Sequence, residues 1–136
     1  MMHKKFTMIL VIVLLLIAVS GISIYMYFGK SIEPLQNINT AEIKEIYFSD
    51  PATNYIVSDD ADIELIIKQL CKMKLHRRMN KDVDGFAFLI DIVYKNDETT
   101  TISLEGSDMI KIDGDCYLSD HNYCDEIKEL FDRLKQ

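Results

Sequence analysis

Cysteine is scarce in this chain and comes late, with Cys71 the first and only Cys116 and Cys124 after it. A lipid anchor on an N-terminal cysteine is therefore excluded. Three thiols are too few for a disulfide framework, and Cys116, His121 and Cys124 lack a convincing fourth ligand for a structural zinc site. A basic excess is lacking as well: from Gly29 onward the chain carries all 22 acidic residues against 13 of its 15 Lys and Arg, a balance of −9. That balance argues against non-specific nucleic-acid binding, which needs a basic surface to release phosphate counterions. No catalytic, metal or nucleotide motif stands clear of a structural explanation. No cofactor and no enzymatic activity are expected.

Charge is absent from one long run. Phe6 to Phe28 are 23 residues without a single charged side chain, and 14 of them are Leu, Ile, Val or Phe. As a helix the run measures roughly 35 Å against a hydrocarbon core of about 30 Å. Its aliphatic and Phe side chains together favour insertion by on the order of 6 kcal/mol. Thr7, Ser20 and Ser23 cannot give it the polar face that a soluble helix needs. Lys4 and Lys5 precede the run and only Lys30 closely follows it. The positive-inside bias thus puts residues 1–5 in the cytoplasm, a signal anchor across the bilayer at 6–28, and the remainder outside. Tyr25, Tyr27 and Phe28 cluster at the far end, where rings prefer the headgroup layer. The competing reading is a cleaved signal peptide, with Ala18-Val19-Ser20 as the small-residue site. Against it, Ile22 to Phe28 continue the apolar run, and cleavage would leave them in water.

Residues 29–40 lack periodicity and read as a short linker, with order expected from Ala41. Ile43 to Phe48 and Tyr55 to Val57 read as two strands around a turn. Asp59 and its neighbours Ser58 and Asp60 offer N-caps, and Ile63, Ile66, Ile67 and Leu70 recur at helical spacing. Phe86, Phe88, Ile90, Ile92 and Tyr94 alternate as a central strand. Lys95 to Glu98 turn the chain into a Thr-rich strand, Thr99 to Leu104. Asp113-Gly114 between Met109–Ile112 and Cys116–Leu118 is a strong hairpin signal. Ile127, Leu130, Phe131 and Leu134 form one face of a last helix whose charges complement its dipole. The expected domain, residues 41–136, is α+β: an antiparallel sheet with two helices, ββα, then several strands, then α.

Asn80, Asp82, Asp84, Gly85 and Asp91 occupy positions 1, 3, 5, 6 and 12 of a calcium-loop pattern. Phe86 to Tyr94 alternate like a strand, however, which puts Asp91 on a sheet face and favours a plain turn at Asp84-Gly85. Cys116 and Cys124 could approach for a disulfide, though spacing does not fix the geometry. A nucleophilic thiol would need His76 or His121 as its base, and neither has a recognisable orienting context. Lys72, Lys74, His76, Arg77, Arg78 and Lys81 form a basic stretch. It reads as a solvated face or charge-protected edge strand, or as a patch for an anionic partner.

The order of Glu42-Ile43-Lys44-Glu45-Ile46-Tyr47, the strand Phe86 to Tyr94, and Ile112-Asp113-Gly114-Asp115-Cys116-Tyr117 followed by Asp125 to Phe131 resembles small extracytoplasmic domains of Gram-positive Firmicutes. Those domains follow an N-terminal anchor or lipid-attachment signal. The resemblance implies place and fold and carries over no site residue. The expected function is a membrane-tethered binding module at the cell envelope, in a sensing, regulatory or immunity role, whose partner is a protein or an envelope polymer. The alternatives are a secreted or calcium-stabilised binding domain, or a thiol-dependent envelope enzyme.

Overall fold

The computed structural model describes residues 2–79 and 85–135, with side chains from residue 4 onward. The chain divides into two compact units, Met1–Lys30 and Ser31–Gln136.

The first unit is one helix, α1 (Met2–Gly29), of which Lys4–Gly29 are long and apolar enough to cross a membrane. Its apolar residues fall on every face, which suits lipid and not a globular core. The Ser20 hydroxyl donates to the Leu16 carbonyl at 2.7 Å. A polar group in the run is thereby satisfied within the helix, as a hydrocarbon surrounding demands.

The second unit is an α+β domain. Among the described residues eight strands make one antiparallel sheet: β1 (Ser31–Ile32), β2 (Ile43–Ser49), β3 (Asn54–Val57), β4 (Leu75–Arg77), β5 (Phe88–Tyr94), β6 (Thr99–Leu104), β7 (Met109–Ile112) and β8 (Asp115–Leu118). Their order is β1-β4-β8-β7-β6-β5-β2-β3. Two helices, α2 (Asp60–Leu70) and α3 (Tyr123–Leu134), contribute to a single core with one face of the sheet. Each follows a hairpin, β2–β3 and β7–β8 respectively.

The alternation expected in β5 sets the two faces. Phe88, Ile90 and Ile92 are buried in the core with Ile102 and Leu104 of β6, whereas Leu89, Asp91 and Val93 are half-buried on the face away from the helices. Asp59 caps α2, its carboxylate accepting from Ala61 N and Asp62 N at 3.0 and 3.2 Å. Asn122 caps α3 by accepting from Asp125 N at 3.4 Å. Such caps satisfy amides that have no partner within the helix. In the core, the ring of Phe48 stacks with Phe131, at 3.9 Å between centroids, and with Phe88, at 5.4 Å. Each such buried ring contributes about 1.5–3 kcal/mol through burial. The β7–β8 turn is Asp113 at φ 49° and Gly114 at φ 92°, the two-residue geometry that Asp-Gly signals.

Two expectations are corrected. Residues 31–40 are not a linker: Ser31 and Ile32 pair with His76 and Leu75, Leu35 is buried, and Ile38 packs on the core. Apolar Ile32, Leu35 and Ile38 supply the surface that orders the segment. The basic stretch is not an edge strand either, because β4 lies between β1 and β8.

Candidate functional site

The segment after β1 turns twice, Gln36 N donating to Glu33 O at 3.2 Å and Ile38 N to Leu35 O at 3.4 Å. It then enters a short 3-10 helix, Thr40–Glu42, capped by Asn39. The Asn39 side chain accepts from Ala41 N at 3.2 Å and donates to Glu42 Oε1 at 3.1 Å. The β5–β6 turn, which Asp97 closes at φ 65°, repeats the device. Asn96 accepts from Glu98 N at 3.1 Å and donates to Glu98 Oε2 at 2.9 Å. Lys95 joins the two sides, its N–H donating to Glu42 O at 2.8 Å and its ammonium to Ala41 O at 2.7 Å.

Between these sides lies a half-open groove of about 390 Å³, lined by Pro34, Asn37, Ile38, Asn39, Glu42, Tyr94, Asn96, Glu98 and Thr100. Ile38 and Tyr94 pack on the core, so the groove's floor is fixed. Its chemistry is dominated by acceptors. Two carboxylates line it, the amides of Asn39 and Asn96 already donate to them, and no Lys or Arg is among the lining residues described. A partner that donates, through hydroxyls or an ammonium, complements such a surface. A smaller hollow of about 180 Å³ between α2 and α3 is bridged by Gln69 Nε2 donating to Glu126 Oε2 at 2.6 Å. That hollow reads as a packing seam.

The residues singled out in the sequence lie elsewhere. Cys71, Cys116 and Cys124 are thiols, none of them in a disulfide. Cys116 pairs with Lys111 in the register that puts Tyr117 and Ile110 into the core. Strand alternation therefore turns Cys116 to the face away from the helices, while Cys124 is part of the core cluster on the helix side. The sheet separates the two. Burial, and then the neighbouring Asp125 charge, push the Cys124 thiol up from its ordinary value. Burial also raises the Cys71 thiol, whose Sγ donates to Leu35 O at 3.0 Å. Both shifts disfavour the nucleophilic thiolate. His76 and His121 are engaged with carboxylates, His76 Nε2 lying 3.1 Å from Asp120 Oδ2 and His121 Nε2 2.5 Å from Glu126 Oε1.

Of the calcium-loop pattern, Asn80, Asp82 and Asp84 lie outside the described residues. Gly85 takes φ 92°, and Asp91 is a β5 residue accepting from Thr101 Oγ1 at 2.6 Å. Among the described residues no three His, Cys, Asp or Glu side chains gather into a metal site. Of the basic stretch, Lys72, Lys74 and Arg77 are exposed, His76 and Arg78 are half-buried, and Lys81 lies outside the described residues.

Sequence reasoning missed the groove because its asparagines fell in supposed linker and turn. The signal was there in the repeated pairing of Asn with a Glu two or three residues on, Asn39 with Glu42 and Asn96 with Glu98. It also missed a buried ion pair on the helix-free face. Lys111 Nζ lies 2.9 Å from Glu105 Oε1, with the Glu105 side chain 6% exposed and that of Lys111 22%. Glu105 Oε2 is buried without a hydrogen-bond partner among the described residues.

An apolar helix followed by a small α+β domain with a polar groove is the class of protein that the fold and site define. No family model and no curated protein matches the chain. Among solved structures it is similar to one described as a "putative lipoprotein" from Clostridium perfringens, at 21% identity and a TM-score of 0.49, covering 65% of this chain and 84% of that one.

Proposed function

We propose that the chain is a membrane-tethered binding module of the cell envelope, acting by recognition and not by catalysis. Its N-terminus lies in the cytoplasm and its domain outside, in a sensing, regulatory or immunity role. The observation that carries the recognition is the groove between the 3-10 helix and the β5–β6 turn. Its volume fits a small molecule or one unit of a polymer, not a protein surface. Its acceptor-rich wall, in a chain of net charge −7, favours a hydroxyl- or ammonium-bearing ligand over an anionic one. A polyhydroxylated or amino-bearing unit of an envelope polymer has that chemistry.

The full chain in detergent, titrated with amino-sugar oligomers and followed by calorimetry, tests this. Saturable binding that Tyr94→Ala and Glu98→Ala each weaken at least about tenfold, the equivalent of 1.4 kcal/mol, supports the reading. Equal binding by the parent and both variants, or none by the parent, would remove it.

A further inference from the structure

The two ends of the sheet differ in what they leave open. β1 is only two residues long, whereas the strand at the other end, β3, has four. Hydrogen-bonded and non-bonded pairs alternate along an antiparallel ladder. Asp50 N donates to Thr53 O at 2.9 Å, and the same register continues through the pairs Ser49–Asn54, Phe48–Tyr55, Tyr47–Ile56 and Ile46–Val57. Counting on from Asp50, the bonded residues of β3 are Tyr55 and Val57. The N–H and C=O of Asn54 and Ile56 therefore point away from β2, toward the open edge. The far side of β2 agrees: Tyr94 N donates to Glu98 O at 2.9 Å, so alternation turns Asp91 and Leu89 toward β2, and their partners Tyr47 and Ser49 bond to β5 and not to β3. Among the described residues no turn, cap or side chain takes up the outward backbone groups of Asn54 or Ile56.

We infer that the β3 edge is a docking strand for an extended segment of a partner protein, one with β-branched residues at its centre and Lys or Arg at its ends. Such a segment adds to the sheet through its own backbone. Sheet edges are ordinarily guarded by charges, proline or a bulge. Asn54-Tyr55-Ile56-Val57 carries neither charge nor proline, its pairing with β2 is unbroken, and Pro51 lies in the turn before it. The Ile56 side chain is 52% exposed, across from Tyr47 on the face away from the helices, where an added strand sets an apolar residue beside it. Val57 is buried and Tyr55 packs on the core, with the Tyr55 hydroxyl donating to Leu134 O at 2.8 Å. The strand is thus fixed before a partner arrives. Charge selects the partner's ends: Asp50 precedes the strand, Asp59, Asp60 and Asp62 follow it, and Lys135, 4.0 Å from Asp50, offsets one of them. A second copy pairing antiparallel through this edge brings Asp50 of one chain toward Asp59 and Asp60 of the other, a repulsive match. Basic ends turn the same carboxylates into attraction. This surface is separate from the polar groove and does not depend on what the groove binds.

The test titrates the isotope-labelled full chain in detergent with the peptide Lys-Val-Thr-Ile-Thr-Val-Lys, and with a copy ending in Glu in place of Lys, followed by nuclear magnetic resonance. The Lys-ended peptide should bind saturably, slow exchange of the Ile56 amide at least about tenfold, and lose affinity as salt is added. The Glu-ended copy should bind at least about tenfold more weakly. Ile56→Pro removes an N–H that the β2–β3 ladder does not use, so the chain should still melt cooperatively while binding is lost. Should that variant unfold, two peptides N-methylated on alternate residues answer from the other side. Only one of the two phases faces the edge, so one should lose binding and the other keep it. No saturable binding of the Lys-ended peptide up to about 1 mM, equal binding by both peptides, indifference to both methylation phases, or binding that leaves Ile56 exchange unchanged would overturn the inference. A dimer of the chain alone that protects Ile56 and is lost in Ile56→Pro would overturn it too, by making the occupant a second copy.

Discussion

Replacing Lys111 by methionine should destabilise the domain far more than losing a surface lysine. Lys111 lies diagonal to Glu105 on the face away from the helices, since its direct partner on β6 is Ser103, two residues before Glu105. The Glu105 side chain is 6% exposed, its Oε1 held at 2.9 Å by the lysine ammonium and its Oε2 already without a partner among the described residues. Lys111→Met removes the compensating charge and leaves a carboxylate in low dielectric, a loss of about 3–5 kcal/mol for a fully buried pair. With the Lys111 side chain 22% exposed, the lower end applies, about 3 kcal/mol. For a domain of roughly 100 residues that lowers the Tm by on the order of 15 °C. Glu105→Leu combined with Lys111→Met removes both charges and should return stability to within about 1 kcal/mol of the parent. Urea and thermal unfolding of the full chain in detergent, followed by circular dichroism, gives all three values. A single variant within about 0.5 kcal/mol of the parent, or a double variant no more stable than the single one, would refute the burial argument.

Gly114→Ala puts an L side chain at φ 92° in a two-residue turn and should cost about 1–2 kcal/mol, read as a lower urea midpoint with the slope unchanged. Asp50 is held below its ordinary value of 3.8, first by the Ala52 N–H and then by Thr53. A depressed carboxylate gives stability that is present above its unfolded value and lost as pH falls through the folded one. Asp50→Asn should therefore flatten part of the acid limb of a stability profile measured from pH 6 downward. The thiols give a counting test: all three should alkylate in urea without reductant. In the native chain Cys124, raised by burial and then Asp125, should lag, gaining rate only at alkaline pH.

What the sequence made legible was whatever repeats. The alternation from Phe88 to Ile92 and the helical stripes Ile63–Leu70 and Ile127–Phe131 each bury one face, and a buried face leaves a period to read. Asp113-Gly114 was legible because few dipeptides accept that turn. β1 was not, because two residues carry no period and their order comes from pairing with β4, distant in sequence. The Glu105–Lys111 pair was hidden for a similar reason: it depends on the register of β6 against β7, which a list of charges does not contain. The groove failed to show because it is assembled from the segment after β1 and a turn more than fifty residues later, joined by Lys95. The basic stretch was visible as charge, but the place of its strand inside the sheet came only with the pairing of β4 to β1 and β8.

The central claim is that the apolar helix stays on the chain and tethers the domain. The most direct measurement is the intact mass of the protein recovered from the membrane fraction of cells that make it. The account predicts a species retaining Phe6 to Phe28 in one piece with the domain. A species that has lost residues 1–20, cut after Ala18-Val19-Ser20 and recovered in the soluble fraction, would contradict it.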